Sequence, residues 1–204
     1  MKKKIAFIHP DLGIGGAEQL VVNLCLAARS YDYEPHIFTP YHHQSFPETH
    51  DGTIVVHQHG SFFGLVPATI LGRFKGLLAY IRSILCVIWL ILHNRNTFEV
   101  VVADQVSVVL PLLRLFGIKT IFYCHYPDKL LSGKRNIIKK IYRFFIDLVE
   151  ELSLFCAQKI YVNSEYTQEV FNTHFKILRK RGVQTTILYP SIDLSKFDEE
   201  LKGD

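Results

Sequence analysis

Short apolar segments alternate with segments of helical periodicity along this chain, and that alternation constrains the fold more than any other feature of the sequence. The apolar segments are too short for helices, which is typical of strands whose two faces are both covered. The predicted strands are residues 5–9, 34–39, 53–57, 100–103, 119–123, 159–162 and 186–189. Strands that alternate with helices form parallel sheets. We therefore predict an α/β fold, a Rossmann-like parallel sheet with helices on both faces.

Apolar residues recur at helical spacing between these strands. The predicted helices are residues 17–28, 72–94, 104–115, 134–156 and 163–175. Asp104 is a predicted N-cap, as is Asn163 or Ser164, and Gly117 is predicted to stop the third helix. Residues 77–92 are apolar almost throughout. Because a spanning helix needs about 20 apolar residues, this segment favours a buried core helix over one that dips into a membrane surface.

The predicted helix over 134–156 is amphipathic. Its apolar stripe is predicted to face the core and consists of Ile137, Ile141, Phe144, Leu148, Leu152 and Phe155. Its basic face, predicted to point away from that stripe, contains Arg135, Lys139, Lys140 and Arg143. That basic face is either a solvated surface or a contact for phosphate groups of lipids.

Polar side chains follow several of the predicted strands, where ligands bind in open α/β sheets. They are His9 and Asp11, Asp104 and Gln105, His125 and Asp128, Asn163 and Ser164, and Ser191. Their common edge predicts a cleft. His125 is the most suggestive of them, because a histidine can accept a proton or hydrogen-bond a sugar hydroxyl near neutral pH. Capping of strand-end carbonyls is the alternative role for His125.

A glycine-rich loop joins the first strand to the first helix. Its segment Gly13-Ile14-Gly15-Gly16 lets a ligand approach the backbone, and the helix N-terminus favours an anion such as a phosphate near Gly15 and Gly16. A tight turn without a ligand is the alternative. Glu18 stands where a dinucleotide fingerprint needs glycine, and Thr39 where it needs an acid, so an NAD or FAD enzyme is disfavoured.

Composition and absent motifs narrow the chemistry further. The net charge of +4 fits an anionic partner, and no charge block indicates a nucleic-acid arm. Four widely spaced cysteines and the lack of an N-glycosylation sequon indicate a reduced, cytosol-facing protein. There is no serine nucleophile elbow and no Asp-x-Asp pair for a metal–diphosphate. The histidines between 42 and 59 lack metal-ligand spacing, so a solvated loop is favoured there.

Five motifs together resemble a known family. They are residues 9–18 (HPDLGIGGAE), 101–107 (VVADQVS), 122–128 (FYCHYPD), 162–167 (VNSEYT) and 188–191 (LYPS). In this order they resemble retaining family-four glycosyltransferases of the GT-B fold. More narrowly they resemble the alpha-1,3/1,6-mannosyltransferases of dolichol-linked oligosaccharide assembly.

The resemblance implies metal-independent transfer of mannose from GDP-mannose to a dolichyl-diphosphate oligosaccharide, at the cytosolic face of the endoplasmic reticulum membrane. Expected partners include that membrane surface and other mannosyltransferases of the pathway. Gly15 and Gly16 would approach the donor diphosphate, and His125 would line the reacting centre. The acceptor-cleft candidates are Asp11, Asp104, Gln105 and Asp128. The candidates for contact with the lipid diphosphate or headgroups are Arg135, Lys139 and Arg143.

The resemblance also predicts domain organisation. Residues 1–190 correspond to the N-terminal, acceptor-side domain of a GT-B enzyme, and residues 191–204 to the start of a linker toward a donor-binding domain. A chain without that second domain is expected to turn over little or nothing. The rival hypothesis is a non-catalytic binding or regulatory fragment that docks on a membrane or on the full-length enzyme.

Overall fold

A single parallel sheet organises the chain. The computed structural model describes residues 2–61, 66–70, 74–127, 130 and 137–191, and for residues 137–142 only the backbone. The seven strands lie in the order β3-β2-β1-β4-β5-β6-β7. Their bounds are Lys3–Ile8 (β1), Tyr33–Thr39 (β2), Val55–Gln58 (β3), Val100–Asp104 (β4), Thr120–Cys124 (β5), Lys159–Val162 (β6) and Thr185–Ile187 (β7). Every predicted strand is thus confirmed, with small shifts at the ends.

The strand order reverses direction at β1, which pairs with β2 on one side and β4 on the other. Ile8, the last residue of β1, lies opposite Ala103, which precedes the last residue of β4. A reversal of this kind opens a crevice beyond the carboxyl ends of the two central strands, because their connections leave in opposite directions. The residues that follow β1, β4 and β5 therefore meet at one place.

Helices cover both faces of the sheet, as predicted. Their bounds are Gly16–Ser30 (α1), Lys75–Asn94 (α2), Leu110–Leu115 (α3), Ile137–Ser153 (α4), Glu165–His174 (α5) and Lys176–Lys180 (α6). Successive strand residues point to opposite faces. Phe7 and Val102 accordingly pack with α1, whereas Ile8 and Ala103 belong to the larger core formed with the other helices. The short helix α6 was not predicted.

Helix α2 is long and apolar enough to cross a membrane by length and composition, with a mean hydropathy of 1.9. In the structure one side of it packs into the core, including Cys86, Val87 and Leu90. The backbone after β3 lies directly against this helix, because a side chain at Gly60 would collide with the carbonyl oxygen of Arg82. Burial on the sheet therefore favours the core-helix interpretation of α2.

The helix ends follow the predicted signals with one exception. Ser164 Oγ accepts a hydrogen bond from the Thr167 amide at 3.2 Å and caps α5, and Gly117 adopts a φ of 72° just after α3. The prediction that Asp104 caps the next helix is wrong. Asp104 is the last residue of β4, and α3 begins only at Leu110, after a 3-10 turn.

The orientation of α4 also contradicts the sequence prediction. Phe144 and Leu152, predicted to face the core, are 62% and 47% exposed, whereas Arg143 is only 7% exposed. The inward polar groups have partners in the fold: Glu151 Oε1 accepts the Ile177 amide at 2.6 Å, at the start of α6. Because such contacts satisfy buried polar groups, the polar side of α4 packs inward. The predicted starts at residues 72 and 134, and the linker from residue 192 on, lie outside the described residues.

Candidate active site

Three side chains from the central strands form one hydrogen-bonded chain at the carboxyl edge of the sheet. His9 follows β1, Asp104 ends β4 and His125 follows β5. His9 Nδ1 lies 2.7 Å from Asp104 Oδ2, and His125 Nε2 lies 2.8 Å from Asp104 Oδ1. Because an ionised carboxylate only accepts hydrogen bonds, both imidazoles donate to it. In neutral His125 this arrangement places the remaining lone pair on Nδ1.

The three hydrogen-bonded side chains differ in exposure, and this difference indicates which of them could contact a ligand. The side chains of His9 and Asp104 are 1% and 2% exposed, whereas that of His125 is 20% exposed. Only His125 therefore presents a ring to the edge. Asp104 lies beneath it with both oxygens occupied, which corrects the prediction that Asp104 lines an acceptor cleft. Its geometry is that of a residue that positions His125.

The electrostatics of the buried pair favour charge on both members. Burial is the strongest single influence on His9 and alone would lower its pKa. The hydrogen bond to Asp104 and the nearby Glu18 carboxylate outweigh it and raise the pKa to about 9. Burial likewise opposes ionisation of Asp104, but the hydrogen bonds from His125 and His9 hold its pKa below the usual value. At neutral pH an imidazolium therefore faces a carboxylate.

Glu18 links this chain to the N-terminus of α1. Its Oε1 lies 3.8 Å from His9 Nε2, a distance for an ion pair rather than a hydrogen bond, and His9 lowers its pKa. The N-cap position of α1 is Gly15, which supplies no capping side chain. A side chain at Gly15 would collide with the Glu18 carboxylate. At Gly16, by contrast, a Cβ atom would have no neighbour within 4 Å. The structure thus brings the glycine loop beside the histidine chain.

The segment after β7 approaches the same edge from the α1 side. Tyr123 donates its hydroxyl to Leu188 O at 2.8 Å, and burial with the Asp104 charge raises the pKa of Tyr123 to about 12. Farther along, Asn23 Nδ2 donates to Ser191 O at 2.8 Å. The chain therefore runs from the edge strand back to α1.

Tyrosines border the edge beyond His125. The rings of Tyr126 and Tyr166 stack with centroids 6.5 Å apart, and Tyr189 reaches Glu165 Oε1 at 3.4 Å. Tyr166 and Tyr189 are at least 60% exposed. Such rings provide flat apolar surface with a polar tip, which suits contact with a sugar. All three tyrosines lie in motifs on which the family resemblance rests, residues 122–128, 162–167 and 188–191, but none was selected as a site residue.

The remaining predicted site residues do not all join this cluster. Asp11 is exposed and pairs with His43 Nε2 at 3.0 Å. Gln105 is exposed at the turn after β4, with a φ of 62°. Asp128 lies outside the described residues. Sequence reasoning noted His9 as a strand-end residue and placed both His9 and Glu18 in the motif over residues 9–18, but neither was selected for the site.

The structure supports none of the three predicted lipid-contact residues. Arg143 is buried and its Nη2 pairs with Asp147 Oδ1 at 2.7 Å, so the prediction that it meets lipid phosphates is wrong. Arg135 lies outside the described residues, as does the side chain of Lys139. Among the described residues, no three His, Cys, Asp or Glu side chains are arranged to hold a metal ion.

The match to one protein family extends over most of the chain. The model of Glycosyltransferase Family 4 matches residues 14–196. This chain belongs to glycosyltransferase family 4. It is 40% identical to alpha-1,3/1,6-mannosyltransferase ALG2 of Dictyostelium discoideum over 199 residues, which are 96% of this chain and 46% of that protein. For ALG2 of Saccharomyces cerevisiae the identity is 40% over 203 residues, covering 98% of this chain and 39% of that protein. The family-four chain thus spans less than half the length of these curated relatives.

Solved structures agree on the fold. Phytolacca americana UGT2 complexed with UDP-2fluoro-glucose and pterostilbene gives a TM-score of 0.59 at 12% identity, covering 100% of this family-four chain and 57% of that chain. A UDP-glucosyltransferase from Polygonum tinctorium gives a TM-score of 0.53 at 10% identity, with 94% and 53% covered. The likeness shows the fold alone, that of a GT-B glycosyltransferase domain, as predicted.

Proposed function

We propose that this chain is the acceptor-side domain of a retaining mannosyltransferase. The donor is GDP-mannose and the acceptor is dolichyl-diphosphate-linked Man-GlcNAc2, which receives mannose first in alpha-1,3 and then in alpha-1,6 linkage during N-glycan precursor synthesis. The observation that carries the proposal is the 40% identity to relatives named alpha-1,3/1,6-mannosyltransferases across nearly the whole chain. The cluster of His9, Asp104 and His125 beside the N-terminus of α1 supports it.

In this proposal the N-terminus of α1 faces the donor diphosphate. The first N–H groups of a helix have no intrahelical partner, and the helix dipole favours an anion there. Gly15 brings no capping oxygen to these N–H groups, and the Glu18 carboxylate hydrogen-bonds its own backbone amide there. The absence of a side chain at Gly16 leaves the backbone accessible. Charge that develops on the leaving diphosphate would be stabilised at this end, with further stabilisation from a donor-binding domain.

His125 meets the reacting sugar in this proposal. Asp104 fixes the imidazole through Nε2, so Nδ1 is the ring atom left to hydrogen-bond a hydroxyl. His9 keeps Asp104 ionised from below, because the two form a buried pair at 2.7 Å. The rings of Tyr126, Tyr166 and Tyr189 border the path by which an acceptor glycan would approach.

We propose that transfer needs no metal and takes place at the cytosolic face of the endoplasmic reticulum membrane. The whole enzyme would contact that membrane and, during its reaction sequence, other mannosyltransferases of the pathway. A buried, reduced set of cysteines agrees with a cytosolic environment: Cys25, Cys86 and Cys124 are buried free thiols. Transfer that persists in EDTA is the expected sign of metal independence.

The test is mannose transfer from GDP-mannose to phytanyl-diphosphate Man-GlcNAc2, followed by mass spectrometry of the product. Three proteins are compared: this chain alone, this chain joined to the C-terminal half of an ALG2 relative, and the joined form with His125→Ala. We expect product from the joined form, little or none from the chain alone, and a loss of about a hundredfold or more in kcat with His125→Ala.

The control variant is His174→Ala, which removes an exposed histidine at the C-terminal end of α5 and should leave transfer unchanged. Circular dichroism and thermal unfolding establish that each joined form is folded. A folded joined form without transfer would refute the proposal and favour the non-catalytic binding fragment. Equal activity of His125→Ala and His174→Ala would remove His125 from the reacting centre.

A further inference from the structure

The outward face of α4 is apolar where a surface helix is normally polar. Phe144, Phe145, Val149 and Leu152 are 62%, 60%, 41% and 47% exposed. Their spacing places them on one side of the helix, with Leu148 between them. A soluble protein keeps such a stripe against its core. This apolar face, defined by residues 144, 145, 148, 149 and 152, lies instead on the surface.

The charged residues of the same helix segment are turned the other way. Arg143, Glu150 and Glu151 are less than 9% exposed, and Asp147 pairs with Arg143. Between residues 143 and 153 the outward side therefore carries no carboxylate and no cation. The inversion is held by tertiary contacts, since Ser153 Oγ donates to Ser107 Oγ at 2.8 Å and Glu151 accepts the amides that begin α6.

A basic rim borders the apolar face. Helix α6 and the residue after it expose Lys176, Arg179, Lys180 and Arg181. The rim is tied to α4 through Glu151, whose Oε1 lies 2.6 Å from the Ile177 amide nitrogen. Within the described part of the chain, no carboxylate lies within ion-pair distance of these four cations. An apolar stripe with aromatic rings beside unpaired cations is the pattern of a helix that lies in the headgroup region of an anionic bilayer.

We propose that the apolar face of α4 and the basic rim together dock on an anionic phospholipid surface. Phe144 and Phe145 enter the boundary between headgroups and acyl chains, and the cations of α6 contact the phosphates. The inference rests on the proposed function in one respect: a lipid-linked acceptor brings this domain to a membrane. It assigns the docking to α4 and α6, rather than to the core helix α2 or to Arg143.

Charge distinguishes a lipid surface from a second copy of this chain. Two copies that joined their α4 faces would bring their basic rims close together, and the chain is basic as a whole, with a net charge of +4. Like charges at such an interface oppose association. An anionic bilayer neutralises the rim and accepts the aromatic rings in the same contact.

The test is co-sedimentation of the purified 204-residue chain with vesicles of phosphatidylcholine alone or mixed with phosphatidylserine. We expect binding to the mixed vesicles that weakens with salt. The variant Phe144→Ser/Phe145→Ser should lower the partition coefficient by about tenfold or more, because two exposed aromatic rings lose their apolar contact. Arg179→Glu/Lys180→Glu should abolish the preference for phosphatidylserine.

The matched control is Tyr31→Ser, which removes an aromatic ring that is 80% exposed at the end of α1, on the other face of the sheet. Vesicle binding that is unchanged in the Phe144/Phe145 variant would overturn the proposal. So would light scattering that shows a dimer dissociated by this variant without a change in vesicle binding. Failure here is distinct from failure of the proposed function, since transfer to the phytanyl acceptor in detergent is measured separately.

Discussion

Raising the pH should weaken the folded state of this chain through one buried residue, His9. Its pKa is 6.5 in a solvated chain and about 9 in the fold. A group whose pKa is raised by folding adds stability that is fully present below the unfolded pKa and is lost as the pH rises through the folded value. The window for this loss is therefore pH 6.5 to 9.

The size of the loss follows from the same two values. The rise from 6.5 to about 9 corresponds to about 3 kcal/mol of unfolding free energy. His9 is 1% exposed, so solvent screening does not discount this figure as it would for a surface pair. A loss of about 3 kcal/mol is a large share of the stability of a typical domain.

The assay is urea unfolding by circular dichroism at a series of pH values, for the wild type and His9→Gln. Glutamine keeps a neutral donor toward Asp104 but does not titrate. Burial and the neighbouring His36 lower the pKa of His57 to about 4, so His57 stays neutral in this window. Burial also raises the pKa of Cys25. This thiol therefore adds a loss of stability near the upper end of the pH window, and the loss is the same in the wild type and in His9→Gln. The difference between the two proteins isolates His9.

We expect the wild type to lose about 3 kcal/mol more than His9→Gln between the two ends of the window. The two proteins should converge in stability near pH 9. Parallel pH profiles for wild type and variant would show that His9 is neutral in the fold. In that case the ionised pair with Asp104 would not exist at neutral pH.

The other stability predictions concern local geometry, and each is measured by chemical or thermal unfolding of the purified chain. Ser164→Ala removes the cap of α5 and should cost about 1 kcal/mol. Gly60→Ala should cost about 2 kcal/mol or more, because the backbone carbonyl of Arg82 blocks the new carbon and φ is 110°. Gly76→Ala, with free space in α2, is its control and should be neutral or slightly stabilising. Phe171→Ala, at 1% exposure, should cost about 3–5 kcal/mol.

The strands and most helix ends could be predicted because their causes are local. The cap at Ser164 and the stop at Gly117 depend on residues within a few positions, and apolar runs mark the strands. The polar residues that follow several strands of the parallel sheet allowed a cleft to be predicted at the carboxyl edge, and His125 lies there. The hydrogen bond between His9 and Asp104 could not be predicted from the sequence, since it depends on which strands become neighbours in the sheet.

The predicted orientation of α4 was wrong because the contacts that determine it are not local. Periodicity identifies two sides of a helix but does not say which side packs inward when both can be satisfied. The inward side was decided by partners distant in sequence, such as Ser107 for Ser153 and the α6 amides for Glu151. Asp104 was mispredicted for the same reason. Aspartate is a good N-cap residue, but the Asp104 carboxylate accepts hydrogen bonds from His9 and His125 instead of capping a helix.

The central position of β1 also determines when the site forms during synthesis. His9 and Asp104 are separated by 95 residues, so β1 emerges from the ribosome long before β4. At translation rates of about 5–20 residues per second, the edge of β1 stays unpaired for about 5–20 seconds. Until β4 docks, the nascent strand is open to non-native pairing, and His9 lacks its hydrogen-bond partner Asp104. Closure of the sheet at its centre and pairing of His9 with Asp104 in the candidate site are therefore one folding event.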